Sequence, residues 1–217
     1  MINCILFDLD GTIVDTNELI ISSFTYALQQ HALPVLTREE MIPHMGTTLQ
    51  HQMRVFSGLE DVSGLELSYR AFNVEHHDAL VRSFPRVNET LDKLREQGIR
   101  MGVVTTKIRP TTIKALERFD LLQYMEVIVT VNDVEHPKPH PEPVQTAIRQ
   151  LQADPARTLM VGDSAVDIQS AQAAGVKSAA VAWSLKGEAV LRAYHPDYVI
   201  HDMTDLLGIV AQEKSER

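Results

Sequence analysis

The run Phe7-Asp8-Leu9-Asp10-Gly11-Thr12 sets two carboxylates two residues apart at the end of an apolar stretch. Residues two apart on an extended chain point to the same side, so Asp8 and Asp10 can share one site. Gly11 lets the chain turn sharply after them, and Thr12 offers a hydroxyl in that turn. Two carboxylates held together repel, so either a cation binds both or one keeps a proton. Both outcomes suit chemistry at an electrophile such as phosphorus, where one acid attacks and the other serves the leaving group. Alone, the pair fits a solvated turn equally well.

Three further runs point the same way. Gly102-Val103-Val104-Thr105-Thr106-Lys107 ends an apolar stretch in hydroxyls that can donate to a phosphate oxygen. His136-Pro137-Lys138-Pro139-His140-Pro141 holds one lysine between prolines, which restrict the backbone and limit where the ammonium can go. In Met160-Val161-Gly162-Asp163-Ser164-Ala165-Val166-Asp167, an apolar stretch delivers Asp163, and Asp167 follows one helical turn later. Carboxylates with oxygen-only partners suit Mg²⁺. Each run also has a plainer reading: a structural Thr, a surface Lys, and helix capping by Asp163 or Ser164.

The elements that must position these residues are legible from periodicity. Short apolar runs of strand type span 2–7, 101–104, 127–131, 158–161, 178–182 and 198–200. Helical patterns over 87–97, 110–119, 142–151 and 166–174 lie between the later ones, with Gly98 and Gly175 placed as C-terminal caps. Such alternation predicts an α/β fold, a Rossmann-like parallel sheet with helices on both faces. All four runs are then expected at carboxyl ends of strands, along one sheet edge. One stretch breaks the alternation. Between the first strand and the helix near Val87 the chain reads as helices over 18–31, 38–43, 48–56 and 65–81, with no strand. This predicts an all-helical cap (16–85) inserted after strand one into a core of 1–15 plus 86–217, with linkers near 14–16 and 83–86.

Bulk properties narrow the partners. A net charge of −9 argues against a nucleic-acid surface. It also requires that any phosphate site supply local positive charge, from a metal or placed basic residues. No run approaches the ~18 apolar residues of a membrane helix. Acidic residues arrive by position 8, unlike a secretion signal, so a cytoplasmic protein is expected. The single cysteine, Cys4, sits in an apolar run and reads as a small buried side chain. Asn73-Val74-Glu75-His76-His77 misses the zinc pattern H-x-x-E-H at its first residue, and none of the nine histidines shows ligand spacing.

The four runs, in this order, resemble the motifs of the haloacid dehalogenase superfamily: Asp8-Leu9-Asp10-Gly11-Thr12, Thr105, Lys138, and Gly162-Asp163-Ser164 with Asp167. The likeness covers nearly the whole chain, including the place of the helical insert. It implies that Asp8 attacks phosphorus and becomes an aspartyl-phosphate. Asp10 would protonate the leaving oxygen and then activate water. Thr105 and Lys138 would hold phosphoryl oxygens. Mg²⁺ would be bound by Asp8, the carbonyl of Asp10, and Asp163, with Asp167 orienting Lys138 or a metal-bound water. Transporting ATPases of the superfamily have Thr at the Asp10 position, so the acid here implies turnover and not a stable phosphoprotein.

A narrower likeness concerns the substrate. Residues 15–24, Val104-Thr105-Thr106-Lys107, the stretch 69–78 and Val181-Ala182-Trp183 are similar to bacterial inorganic pyrophosphatases of the PpaX type. The resemblance implies a small phosphorylated substrate, pyrophosphate first, handled by a monomer or weak dimer. Arg70, Asn73 and His77 share one face of a predicted helix and could meet a second phosphate. Gly46 and Thr47, before another helix, are candidates for anion binding, and Thr106 joins them from the core. Many relatives have Gly after Phe-Pro, where this chain has Arg86. A phosphoglycolate phosphatase is the nearest alternative; a sugar-phosphate mutase or a non-enzymatic phosphoacceptor fits less well.

Overall fold

A computed structural model describes residues 1–215, so the last two positions of the expected core lie outside the described residues. The chain begins with β1 (Cys4–Phe7) and β2 (Val14–Asp15). It continues through α1 (Asn17–Gln30), α2 (Arg38–Met41), α3 (Leu49–Ser57) and α4 (Ser63–Leu80), and returns in β3 (Arg82–Ser83). The remainder alternates: α5 (Val87–Glu96), β4 (Arg100–Val104), α6 (Arg109–Arg118), β5 (Val127–Val129), α7 (Glu142–Leu151), β6 (Thr158–Gly162). It closes with α8 (Ala165–Ala173), β7 (Lys177–Val181), α9 (Glu188–Arg192), β8 (Tyr198–Ile200) and α10 (Asp205–Ser215).

Six strands form one parallel sheet in the order β5-β4-β1-β6-β7-β8. The strand order reverses at β1, and at such a switch point an open α/β sheet leaves a crevice beyond its carboxyl ends. Every residue of β1 is buried, as a central strand with both faces covered requires. Ile5 and Phe7 join one apolar cluster with Leu91 of α5 and Leu206 of α10; Cys4 and Leu6 join the other with Val144 and Ala147 of α7. That split is the two-residue period of a strand made visible. Each large side chain so buried contributes roughly 1.5–3 kcal/mol.

The expected caps are present. Gly98 and Gly175 adopt φ of 75° and 72°. The amides that follow reach back to Leu94 and Ala171, which turns each helix directly into the next strand. Some boundaries differ from the sequence pattern. β5 stops at Val129 because Thr130 caps a short 3₁₀ turn, accepting from the Asn132 amide while Asp133 accepts from the Thr130 amide. The helix expected over 38–43 is α2 followed by a 3₁₀ turn over Ile42–His44, where Pro43 cannot donate its part of an α-helical ladder.

Residues 16–85 are helical apart from their junctions. Phe24, Met53, Phe56 and Leu65 form a separate apolar cluster, with the Phe24 ring 4.8 Å from both Phe56 and Tyr69. The stretch is not strandless, however. β2 and β3 pair antiparallel, Val14 with Ser83 and Asp15 with Arg82. Two-residue strands are too short to leave a periodic signal. Arg86 stands just beyond, at φ 59°, a left-handed backbone that favours glycine, and it pairs with Asp202. Among the described residues no helix is long and apolar enough to cross a membrane.

Candidate active site

Asp8 is the first residue past β1, and its amide donates to Val161 O at 2.8 Å. Gly11, at φ 78°, closes the following turn with an amide bond to Val14 O of 2.8 Å. A side chain at Gly11 would lie 2.8 Å from Asp163 Oδ2, so glycine serves both the turn and the close approach of Asp163. Asp10 accepts from Thr16 Oγ1 at 2.8 Å and from Lys107 Nζ at 3.1 Å to both its oxygens. Thr12, expected to bond in the turn, is buried with its hydroxyl unpartnered; Thr16 holds Asp10 instead.

Lys138 is not at a strand end, contrary to the sequence expectation. It sits well beyond Val129 in the loop before α7, and the long side chain covers the remaining distance. Its ammonium donates to Asp8 Oδ1 (2.8 Å), Val104 O (2.9 Å) and Asp167 Oδ1 (2.5 Å). All three N–H bonds are thereby used. Glu142 braces the loop by accepting from the Glu135 and His136 amides, and Ser170 Oγ donates to His140 O at 2.7 Å. His136, His140 and Glu142 also bring potential ligand atoms within 4.8 Å of one another on the exposed side of this loop, a grouping that the histidine spacing did not suggest.

Asp163 and Asp167 divide their work. Asp167 Oδ2 accepts from the Ser164 amide (3.0 Å) and hydroxyl (2.7 Å), capping α8, while Oδ1 meets Lys138. Capping of α8 thus falls to Ser164 with Asp167, and Asp163 takes no part in it; the same Asp167 side chain reaches Lys138. A Cβ on Gly162 would lie 2.3 Å from Asp167 Cβ, so the strand can end there only in glycine. Asp163 Oδ2 accepts from Lys186 Nζ at 2.9 Å. Lys107 and Lys186 carried no role in the sequence reading. Lys107 had a signal, since it follows Thr105 and Thr106 at a strand end; Lys186 lies in a turn with no spacing to any motif.

Carboxyl oxygens of Asp8, Asp163 and Asp167 all lie within 4.8 Å of one another. Burial pushes Asp8 up to about 8 against the pull of Lys138, and Asp167, Asp163 and Asp10 add to the rise. Burial raises Asp163 as well, opposed by Lys186. Burial works against the Lys138 charge, yet Asp167 and Asp8 hold its pKa above the ordinary lysine value. Carboxylates this reluctant to ionise mark a place where one more cation is favoured. The donors are oxygens only, which fits Mg²⁺. Both Asp167 oxygens are already engaged, which sets it behind Asp8 and Asp163.

Above this floor lies a cavity of about 510 Å³, in the range of small-molecule sites. Asp8, Asp10, Thr105, Thr106, Lys107, Asp163 and Lys186 line it from the sheet side; Gly46, Thr47, Arg70 and Asn73 line it from the helices. Gly46 touches the core: its carbonyl accepts from Thr106 Oγ1 at 3.2 Å, and a Cβ there would lie 2.8 Å from Ser164 Oγ. Gln52 Nε2 donates to Thr47 O at 2.7 Å. Asn73 donates to Ser23 Oγ at 3.3 Å, and Arg70 pairs with Glu66 at 3.2 Å. His77 does not join them. It is fully buried and outside the cavity, with Nδ1 2.9 Å from Asp78 and Nε2 unpartnered.

A parallel sheet in this order, with an Asp pair after its first strand and a lysine and a second Asp pair converging on it, defines a class. The chain belongs to the haloacid dehalogenase-like hydrolase family, whose sequence model matches residues 5–181. Among its relatives is pyrophosphatase PpaX of Bacillus mycoides, 48% identical over 97% of this chain and 98% of that one. Pyrophosphatase PpaX of Bacillus cereus is 47% identical over 97% of each. A haloacid dehalogenase-like hydrolase structure from Bacteroides fragilis superposes with a TM-score of 0.86 at 31% identity, covering 95% of this chain and 100% of that one.

Proposed function

We propose that this hydrolase is a magnesium-dependent phosphatase acting through a phosphorylated Asp8, and that its substrate is inorganic pyrophosphate. The observation that carries the reaction is the arrangement of the two leading carboxylates. Asp8 lies against Lys138, and Asp10 is held apart from it by Thr16 and Lys107. Asp8 attacks phosphorus along the line to the leaving oxygen. Asp10 gives that oxygen its proton, then takes one from the water that releases phosphate. Thr105 and Lys138 meet the phosphoryl oxygens as charge develops. Asp8, the Asp10 carbonyl and Asp163 would hold Mg²⁺, which supplies charge neutralisation at the phosphoryl group. Asp167 fixes Lys138 in place.

We assign residues 16–85 as a cap over the cavity, with Gly46, Thr47, Arg70 and Asn73 on its substrate face and Thr106 opposite. Pyrophosphate is favoured by near-full-length identity to relatives bearing the pyrophosphatase name and by three cations lining the cavity, Lys107 and Lys186 on the floor and Arg70 on the wall. The protein is assigned as a cytoplasmic monomer or weak dimer with no nucleic-acid or membrane partner. Phosphate release from pyrophosphate and from phosphoglycolate, each with Mg²⁺, tests the substrate. A kcat/KM favouring the monoester by roughly a hundredfold would overturn it.

A further inference from the structure

Lys186 belongs to none of the four motifs, yet its ammonium reaches the centre of the site. Its side chain is only 8% exposed, it lines the cavity, and its Nζ lies 2.9 Å from Asp163 Oδ2. The turn that carries it is fastened to the same residue. Ser184 Oγ donates to Asp163 O at 2.6 Å and accepts from the Lys186 amide at 3.2 Å. Gly187, at φ 85°, completes the turn with an amide bond to Ser184 O of 3.0 Å. Backbone and side chain of Lys186 are both referred to Asp163. Ordering a lysine costs up to about 2 kcal/mol in rotamer freedom, before desolvation, so a buried and fastened lysine calls for a reason.

The three lysines of the site differ in what they can still bind. Lys138 spends its three N–H bonds on Asp8, Val104 and Asp167, and Lys107 holds both oxygens of Asp10. Lys186 bonds Asp163 and faces the cavity with donors to spare. Its position is also distinct. Asp163 Oδ2, which it holds, is the oxygen that packs against Gly11, on the Asp10 side of the cluster. Lys138 enters from the Asp8–Asp167 side.

We propose that Lys186 is a specificity-determining residue that binds an oxyanion of the leaving group, selecting substrates whose leaving group is itself anionic. This rests on the hydrolytic roles assigned to Asp8 and Asp10. The chemistry is shared by the second phosphoryl group of pyrophosphate and by the carboxylate of a phosphorylated hydroxy acid. A neutral alcohol leaving group would gain nothing from it.

The test compares wild type with Lys186→Met and Lys186→Arg, each first checked by thermal unfolding. Calorimetry measures binding of methylenediphosphonate and of inorganic phosphate, with and without Mg²⁺. Kinetics measures kcat/KM for pyrophosphate, phosphoglycolate and phenyl phosphate. The Met variant is expected to bind methylenediphosphonate about tenfold or more weakly while phosphate affinity moves less than about threefold. Its preference for an anionic over a phenyl leaving group should fall by a similar factor, and Arg should restore part of it. The larger loss, on pyrophosphate or on phosphoglycolate, identifies which anion Lys186 meets. Equal losses for all ligands, or none, would overturn the assignment. A wild type that releases phosphate from none of the three would instead reject the hydrolytic reading itself.

Discussion

On the floor of the cavity, Lys138 meets three oxygens within 2.9 Å and its side chain is 2% exposed; on the helical wall, Arg70 has Glu66 at 3.2 Å and is 37% exposed. The contrast holds more widely. Asp8, Asp10, Asp163 and Asp167 are each tied to a lysine, and three of the four are nearly buried. On the wall, the Arg70 side chain is held by one bond, to Glu66, and that of Asn73 by one, to Ser23. The floor is over-determined, as groups that must meet a transition state have to be. Arg70 is the loosely fixed member of the wall, which suits its proposed part in recognising one small anion among several. In the proposed reading the floor carries the chemistry, and the wall shares the choice of substrate with Lys186.

Substitutions on the floor should break the reaction outright. Asp8→Asn removes the nucleophile but keeps its shape, so turnover should fall by about 10⁴-fold or more while the unfolding midpoint is retained. Wild-type turnover by that variant would refute the mechanism. Next in size, Asp10→Asn leaves Asp8 able to attack without an acid for the leaving group. A loss of about 10²–10⁴-fold in kcat is expected, and it should shrink for substrates with better leaving groups.

Substitutions on the wall should act on binding instead. For Arg70→Ala, KM for pyrophosphate is expected to rise by about tenfold with kcat changed far less. A fall in kcat as large as that of Asp10→Asn would erase the distinction between the two sides. His77, on the same helix but outside the cavity, should affect stability alone. Burial holds its pKa below the ordinary histidine value, opposed by its hydrogen bond to Asp78. The unfolded chain therefore takes up a proton near pH 6.5 while the folded chain stays neutral, and stability contributed at higher pH is lost as pH falls below about 6.5. Unfolding midpoints between about pH 7.5 and 5.5 should fall less steeply in His77→Leu than in wild type.

The smallest effect concerns Arg86. Arg86→Gly relieves a left-handed backbone worth about 1–2 kcal/mol and forfeits an exposed pair with Asp202 worth about 0–1 kcal/mol. A slightly raised or unchanged midpoint with normal kcat is expected by thermal unfolding and phosphate release.

What the sequence disclosed follows the same division. Asp8, Thr105 and Asp163 could be read because a strand's period and its end are local signals, and a parallel sheet brings its ends together. Lys138 could be read as a constrained lysine, but its reach across a loop to Asp8 depends on how Glu142 and Ser170 anchor that loop. Thr16 and Lys186 left no trace, because each comes to its carboxylate through a turn that only the folded sheet aligns. His77 shares a helical face with Arg70 and Asn73, yet it lies a turn further along α4, where the helix has passed the cavity's edge. Sequence periodicity gives a face; it does not say which part of that face is covered.

The ribbon formed by Val14–Asp15 and Arg82–Ser83 has a consequence for how such a chain can be rearranged. The helical segment departs from and returns to the sheet through two hydrogen-bonded neighbours, about 4.8 Å apart, as if through one socket. Any insert whose ends lie a strand spacing apart could be plugged into it without disturbing a single register of the six-stranded sheet. In the proposed reading the hydrolytic machinery, Lys186 included, is in that sense a chassis, and Gly46, Thr47, Arg70 and Asn73 ride on an exchangeable module.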